Sequence, residues 1–105
     1  MTPAVLHILL SLSAEDRHGL GIAADVREFS SGKLSLGPGT LYGTLNRLLD
    51  AGMVEDLGSP DSEDGDPRRR YYRITPKGRK ALELETTDLA SILTVAKRRR
   101  VLKTS

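Results

Sequence analysis

The sequence predicts a mainly α-helical chain with one small β-hairpin, and three observations lead there. Leu41, Leu45, Leu48 and Leu49 recur at helical spacing behind Gly37-Pro38-Gly39-Thr40, and the pattern stops at Gly52. Two short runs of strand formers follow, Met53 to Leu57 and Arg70 to Thr75, separated by a segment rich in Gly, Pro, Ser and Asp. A last helix then carries Leu82, Leu89 and Ala96 seven residues apart. Helix, strand, loop and strand in that order make the back half of a winged helix-turn-helix. The expected division is residues 1–76 as that unit and 77–105 as a C-terminal dimerisation helix with a basic tail.

At 105 residues and 11.4 kDa the chain holds one domain with a modest core. It has no cysteine, which excludes a disulfide framework and a thiolate metal site. No stretch approaches the ~20 apolar residues of a membrane span and no signal peptide opens the chain, so a cytoplasmic protein is expected, with no membrane partner. Net charge is only +2, but its distribution is uneven. Asp61, Glu63, Asp64 and Asp66 crowd one loop. Arg68, Arg69, Arg70, Arg73, Lys77, Arg79 and Lys80 follow with no acid among them, and a second basic run spans Lys97 to Arg100. A phosphate backbone responds to such clustering more than to the total.

The helices announce themselves in order. Thr2 can cap a first helix that starts at Pro3, where a missing N–H costs nothing. Ala4, Val5, Leu6, Ile8, Leu9, Leu10 and Leu12 make it apolar almost all round, so it is buried on more than one side. After a break from Ser13 to His18, a second helix runs from about Gly19 to Phe29 with Ile22, Val26 and Phe29 in register and Asp25, Arg27 and Glu28 outward. Gly32 is a left-handed stop, and Leu34, Ser35 and Leu36 alternate as a short extended piece. The third helix covers about 38–51 and the wing about 53–75, with a mobile loop expected from Gly58 to Pro67. Thr75 and Pro76 repeat the cap-and-proline start for the last helix.

The third helix is the expected major-groove reader. Small residues at its start, Gly39 and Gly43, let the backbone approach DNA. Thr40 and Tyr42 offer hydroxyls, Asn46 can pair with adenine, and Arg47 can reach guanine or a phosphate. Tyr42 has an alternative place in the core. Lys33 and Ser35, just ahead of this helix, complete the expected contacts on that side. In the wing, Arg68 and Arg70 are preferred over Arg69, because alternation forbids all three from facing the duplex. The alternative is a solvated run that balances the acidic loop, whose four acids argue against deep insertion of the wing tip. One of Tyr71 and Tyr72 belongs in the core and the other on the surface.

His7 and His18 stand far apart without a supporting carboxylate pattern, so no metal or other cofactor is expected. Gly37-Pro38-Gly39-Thr40 lacks the lysine and spacing of a nucleotide phosphate loop, and no nucleophile–base–orienter set is visible. An enzyme is excluded on these grounds. The first and last helices each carry more apolar surface than one chain of this size covers. Val5, Leu6, Leu9, Leu82, Leu89, Ile92, Leu93 and Ala96 are the expected homodimer interface. The alternative is that the two helices cover each other within one chain.

Three motifs resemble the PadR family of bacterial transcriptional regulators: His18-Gly19 at the start of the second helix, Gly39-Thr40-Leu41-Tyr42 in the third, and Arg69-Arg70-Tyr71-Tyr72-Arg73-Ile74-Thr75-Pro76-Lys77-Gly78 after the wing. The length, with one helix after the wing, is similar to the family's shorter subclass. Leu20 stands where the family usually has an aromatic residue, and Gly43 where it often has proline. The first departure changes packing; the second removes a side chain from the DNA-facing surface. The resemblance implies a homodimeric repressor on a pseudo-palindromic operator, found on the bacterial nucleoid when bound and often autoregulatory. Regulators similar to it often respond to a small-molecule effector, phenolic or multidrug-like, or to a partner, and the resemblance leaves the identity of an effector open. With no Trp and one Phe the chain shows no obvious stacking pocket for one. Two other readings are a winged helix that binds protein instead of DNA, and a ligand-sensing dimer with weak intrinsic DNA binding.

Overall fold

The computed structural model describes residues 1–59 and 69–103. The elements run α1 (Pro3–Ala14), β1 (Arg17–His18), α2 (Gly19–Phe29), α3 (Pro38–Asp50), β2 (Val54–Gly58), β3 (Tyr71–Ile74) and α4 (Pro76–Arg98). Arg68 and the acidic wing loop lie outside the described residues. Among the described residues no helix is long and apolar enough to cross a membrane.

Local chemistry accounts for the helix ends. Thr2 Oγ1 accepts from the Val5 amide at 3.2 Å, and Thr75 Oγ1 accepts from the Gly78 amide at 3.1 Å, each ahead of a first-turn proline. α2 is capped by a histidine: His18 Nδ1 accepts from the Gly21 amide at 3.0 Å. The α2 exit places both Ser31 and Gly32 in the left-handed region, and the Gly32 amide closes on the Arg27 carbonyl at 2.8 Å.

Among the described residues the sheet has three strands in the order β1-β3-β2, all antiparallel, where the sequence pattern shows only the hairpin. β1 is the addition: Arg17 pairs with Tyr72 and His18 with Tyr71. Tyr72 is buried and Tyr71 half-buried, its ring edge-on to His18 at 5.4 Å. Burial pushes the Tyr72 phenol above its ordinary pKa, with the Asp56 carboxylate adding to the effect.

The core gathers Ile8, Leu9 and Leu12 of α1, Ile22 and Val26 of α2, Leu41, Leu45 and Leu48 of α3, Val54 and Ile74 of the wing, and Leu82 of α4. Leu9 and Leu82 therefore belong to the chain's own interior, which corrects the expectation that they face a second subunit. Both sit where α1 meets the sheet and the first turns of α4, so the intrachain pairing of these helices is realised there. Asp25, expected outward, is half-buried: it accepts from Ser11 Oγ at 2.7 Å and lies 2.7 Å from Arg17 Nε. This pairing joins α1, α2 and β1, and it satisfies the buried Ser11 hydroxyl.

Two motif glycines are explained by close approach. A Cβ on Gly19 would overlap the Tyr42 hydroxyl, and one on Gly78 would overlap the Met53 carbonyl. Gly19→Ala is expected to lower stability by ~1–3 kcal/mol, the usual cost of overpacking, read as a shifted urea midpoint. Unchanged stability would mean that α2 and α3 are not in such contact.

Candidate nucleic-acid interface

α3 buries one face and presents the other. Leu41, Thr44, Leu45 and Leu48 point inward, whereas Gly39, Thr40, Gly43, Asn46, Arg47 and Asp50 are exposed. Apart from the adjoining backbone, no atom of the described residues lies within 4 Å of where a Cβ would stand on Gly37, Gly39 or Gly43, so among these residues nothing covers the front of this helix. Thr44 organises the surface from behind: its hydroxyl donates to the Thr40 carbonyl at 2.7 Å and accepts from Arg47 Nη2 at 3.2 Å. Arg47 is thus steadied by one nitrogen, with guanidinium donors left over for another acceptor. Lys33 and Ser35 are exposed in the approach to α3, while Leu34 and Leu36 pack on the core.

Tyr42 stands apart from the other expected contacts. It lies between the buried stripe and the front, is half-buried, and turns toward Gly19 of α2. With Leu20, Ala23, Arg27, Leu36, Pro38 and Leu41 it lines a cavity of about 210 Å³ between α2 and α3. Leu20, in place of the aromatic expected from the resemblance, is 58% exposed at that site. Arg27 also lines the cavity, so it lies near the first turn of α3. Its i+4 spacing from Ala23, which flanks the same cavity, is the one sequence signal that places it there.

The basic run after the wing is largely engaged by the fold itself. Arg70, expected at the duplex, has its Nε donating to Asp56 Oδ2 at 2.9 Å across the hairpin. Arg73 makes two hydrogen bonds to Asp16, at 3.1 and 2.9 Å, and approaches Glu55 at 3.7 Å. These bonds hold the Asp16 carboxyl below its ordinary range, against a smaller effect of burial, and raise the Arg73 guanidinium. Lys77 Nζ donates to the Ala51 carbonyl at 2.7 Å and Arg79 Nη2 to the Ser13 carbonyl at 2.8 Å. Arg69 and Lys80 are exposed. An unbroken run of cations looks like an electrostatic patch, but the acids that neutralise it lie far away in sequence.

On α4 only Gly78 and Leu82 are buried out of 23 residues. Leu89 is 36% exposed, Leu93 48% and Ile92 61%, while Ala96 is half-buried. Val5 and Leu6 of α1 are half-buried against the core. The far end of α4 carries Lys97, Arg98, Arg99 and Arg100, all exposed.

Comparison with known proteins agrees with this arrangement. The model of the transcriptional regulator PadR-like family matches residues 5–84. A transcriptional regulator of Mycobacterium tuberculosis, Rv3488, is 39% identical over 77 residues, which cover 73% of this chain and 66% of that protein. An uncharacterized 37.1 kDa protein in transposon TN4556 of Streptomyces fradiae is 36% identical over 89 residues, 85% of this chain but 24% of that protein. The chain thus spans less than two thirds of either relative. The crystal structure of a PadR family transcription regulator from Clostridium difficile superposes with a TM-score of 0.77 at 28% identity, covering 92% of this chain and 97% of that one. Proteins of this kind are regulators and not enzymes. The chain belongs to the PadR-like family of transcriptional regulators.

Proposed function

We propose that the protein is a homodimeric repressor that reads a pseudo-palindromic operator with α3 in the major groove and the wing alongside, and so blocks a promoter. The unobstructed front of α3 carries this reading: a surface of glycines with Thr40, Asn46 and Arg47 can come close to base edges and hydrogen-bond to them. Lys33 and Ser35 meet the backbone beside it, and Arg70 joins from the wing by exchanging Asp56 for a phosphate. The exposed Leu89, Ile92 and Leu93 stripe supports the dimer, since a two-fold axis along it would set two recognition helices about one DNA turn apart, ~34 Å.

The test is binding to the DNA upstream of the protein's own gene and to a random duplex, over a salt series. A preference of ~10³ or more for the upstream DNA, falling steeply with salt, is expected. Equal, salt-sensitive binding to both would reduce the surface to a general basic one at that DNA. No binding at low salt would favour a protein partner.

A second reading rests on the cavity between α2 and α3. A small, mostly apolar effector seated there would press on the first turn of α3 through Pro38, Leu41 and Tyr42 and so alter operator affinity.

A further inference from the structure

The end of α3 and the start of α4 are joined more tightly than a strand pair requires. The carbonyls of Ala51, Gly52 and Met53, which follow α3 directly, are all held by residues at the head of α4. Lys77 Nζ donates to Ala51 at 2.7 Å, Thr75 Oγ1 to Gly52 at 2.6 Å, and the Thr75 amide to Met53 at 3.0 Å. The same Thr75 hydroxyl accepts from the Gly78 amide, so one side chain holds the residue that follows the end of α3 and caps the start of α4. Gly78 sits so close to the Met53 carbonyl that no side chain fits between them.

Lys77 is in the first turn of α4, where a cation opposes the helix dipole. The opposite holds at the C-terminal end of α3, where its ammonium actually lies: a cation there is favoured and satisfies an unpaired carbonyl. Its placement is therefore unfavourable for its own helix and favourable for the other one. The wing does not need this contact, because β2 and β3 pair through Val54 and Ile74 on their own.

We infer that Thr75 and Lys77 are positioning residues that lock the recognition helix to the dimer helix, and so set the spacing of the operator half-sites that the protein accepts. α4 runs on for five more turns past this joint, which places the exposed Leu89–Ile92–Leu93 stripe at its far half. Whatever fixes α4 against its copy then fixes α3 through two short side-chain hydrogen bonds, added to the last rung of the hairpin ladder from the Thr75 amide to the Met53 carbonyl. One base pair of extra spacing moves a half-site by ~3.4 Å and turns it by ~34°. A joint that rocks through Lys77 would absorb such a change, and a rigid one would not. This inference rests on the DNA-binding dimer proposed above.

The experiment uses the full chain. An operator is first selected from a random duplex library with the wild-type protein. Affinities are then measured on that operator, on versions with the half-sites one and two base pairs closer or further apart, and on a single half-site. The wild type is expected to lose affinity by about tenfold or more for each shift. Lys77→Met, which keeps the stem and removes the donor, is expected to flatten this profile to within about threefold while single half-site affinity and sedimentation stay as in the wild type. Lys77→Arg, which restores a donor, should recover the wild-type profile. A Lys77→Met profile that matches the wild type overturns the inference, as does a flattened profile for Lys77→Arg. If Lys77→Met fails to dimerise or fold, Lys77→Ala, which also removes the donor, is measured in its place, with the same flattened profile expected and a wild-type profile overturning the inference. Failure of the wild type to select any operator would overturn the DNA-binding reading as well, and is seen before any variant is compared.

Discussion

A Leu89→Asp variant is expected to sediment as a monomer and to lose ~10²–10⁴-fold in operator affinity, the advantage that linking two binding events confers. The site suits the test because Leu89 is 36% exposed and takes no part in the chain's own core, so the substitution leaves the fold intact. A carboxylate at that position would have to shed its water to enter an apolar seam without a partner cation, which is costly enough to dissolve a small helical interface. The neighbouring Ile92 and Leu93 would then face solvent in each separate chain. Two measurements are needed together: sedimentation of the protein alone and titration of a two-site duplex. A stable dimer in the variant would remove α4 from the interface. A monomer that still binds the duplex as tightly as the wild type would show that dimerisation is irrelevant to recognition.

Arg47→Ala should weaken operator binding by ~1–3 kcal/mol, about 10- to 100-fold, and relax the base preference at one position in each half-site. Arg47 is exposed on the open face of α3, and its hydrogen bond to Thr44 pre-orients the guanidinium, so less side-chain freedom is lost on binding. Alanine keeps the helix, since it is the better helix former, and leaves Thr44 Oγ1 still bonded to the Thr40 carbonyl. A titration against the operator and against single-base variants separates two roles. Loss confined to one base position identifies a base contact, whereas an equal loss on all sequences identifies a phosphate contact. No loss on any sequence would take Arg47, and with it the C-terminal half of α3, out of the interface.

What the sequence could and could not convey follows from the range of the interactions. α2 was legible to the residue, Gly19–Phe29, and the starts of α1 and α4 at Pro3 and Pro76, because capping and proline chemistry act within one turn. β1 was not, since a pair of residues has no period and Arg17-His18 becomes a strand only through Tyr71 and Tyr72. Periodicity named the apolar face of α4 correctly as a stripe through Leu82 and Leu89. It does not say how much of that stripe its own chain covers, so Leu82 fell inside and Leu89 outside. Among the site residues, the exposed ones of α3 followed from the leucine pattern opposite them. Tyr42 sits at the border of that pattern, and its place was decided by the missing side chain of Gly19. The partners of Arg70 and Arg73 are Asp56 and Asp16, 14 and 57 residues away, a distance over which local pattern carries no signal.

Those ion pairs also bear on how the protein would feel ionic strength. Binding to DNA gains much of its salt sensitivity from counterions that phosphates release when cations replace them. An arginine already neutralised by a carboxylate of its own chain brings less to that exchange, because its charge is compensated before a phosphate arrives. With Arg70 and Arg73 bound in this way and Lys77 and Arg79 turned to backbone carbonyls, the release among the described residues of the proposed interface falls mainly to Lys33 and Arg47. Seven cations between Arg68 and Lys80 thus overstate the electrostatic pull of the wing, and discrimination among sequences would rest more on the fit of α3 than on charge.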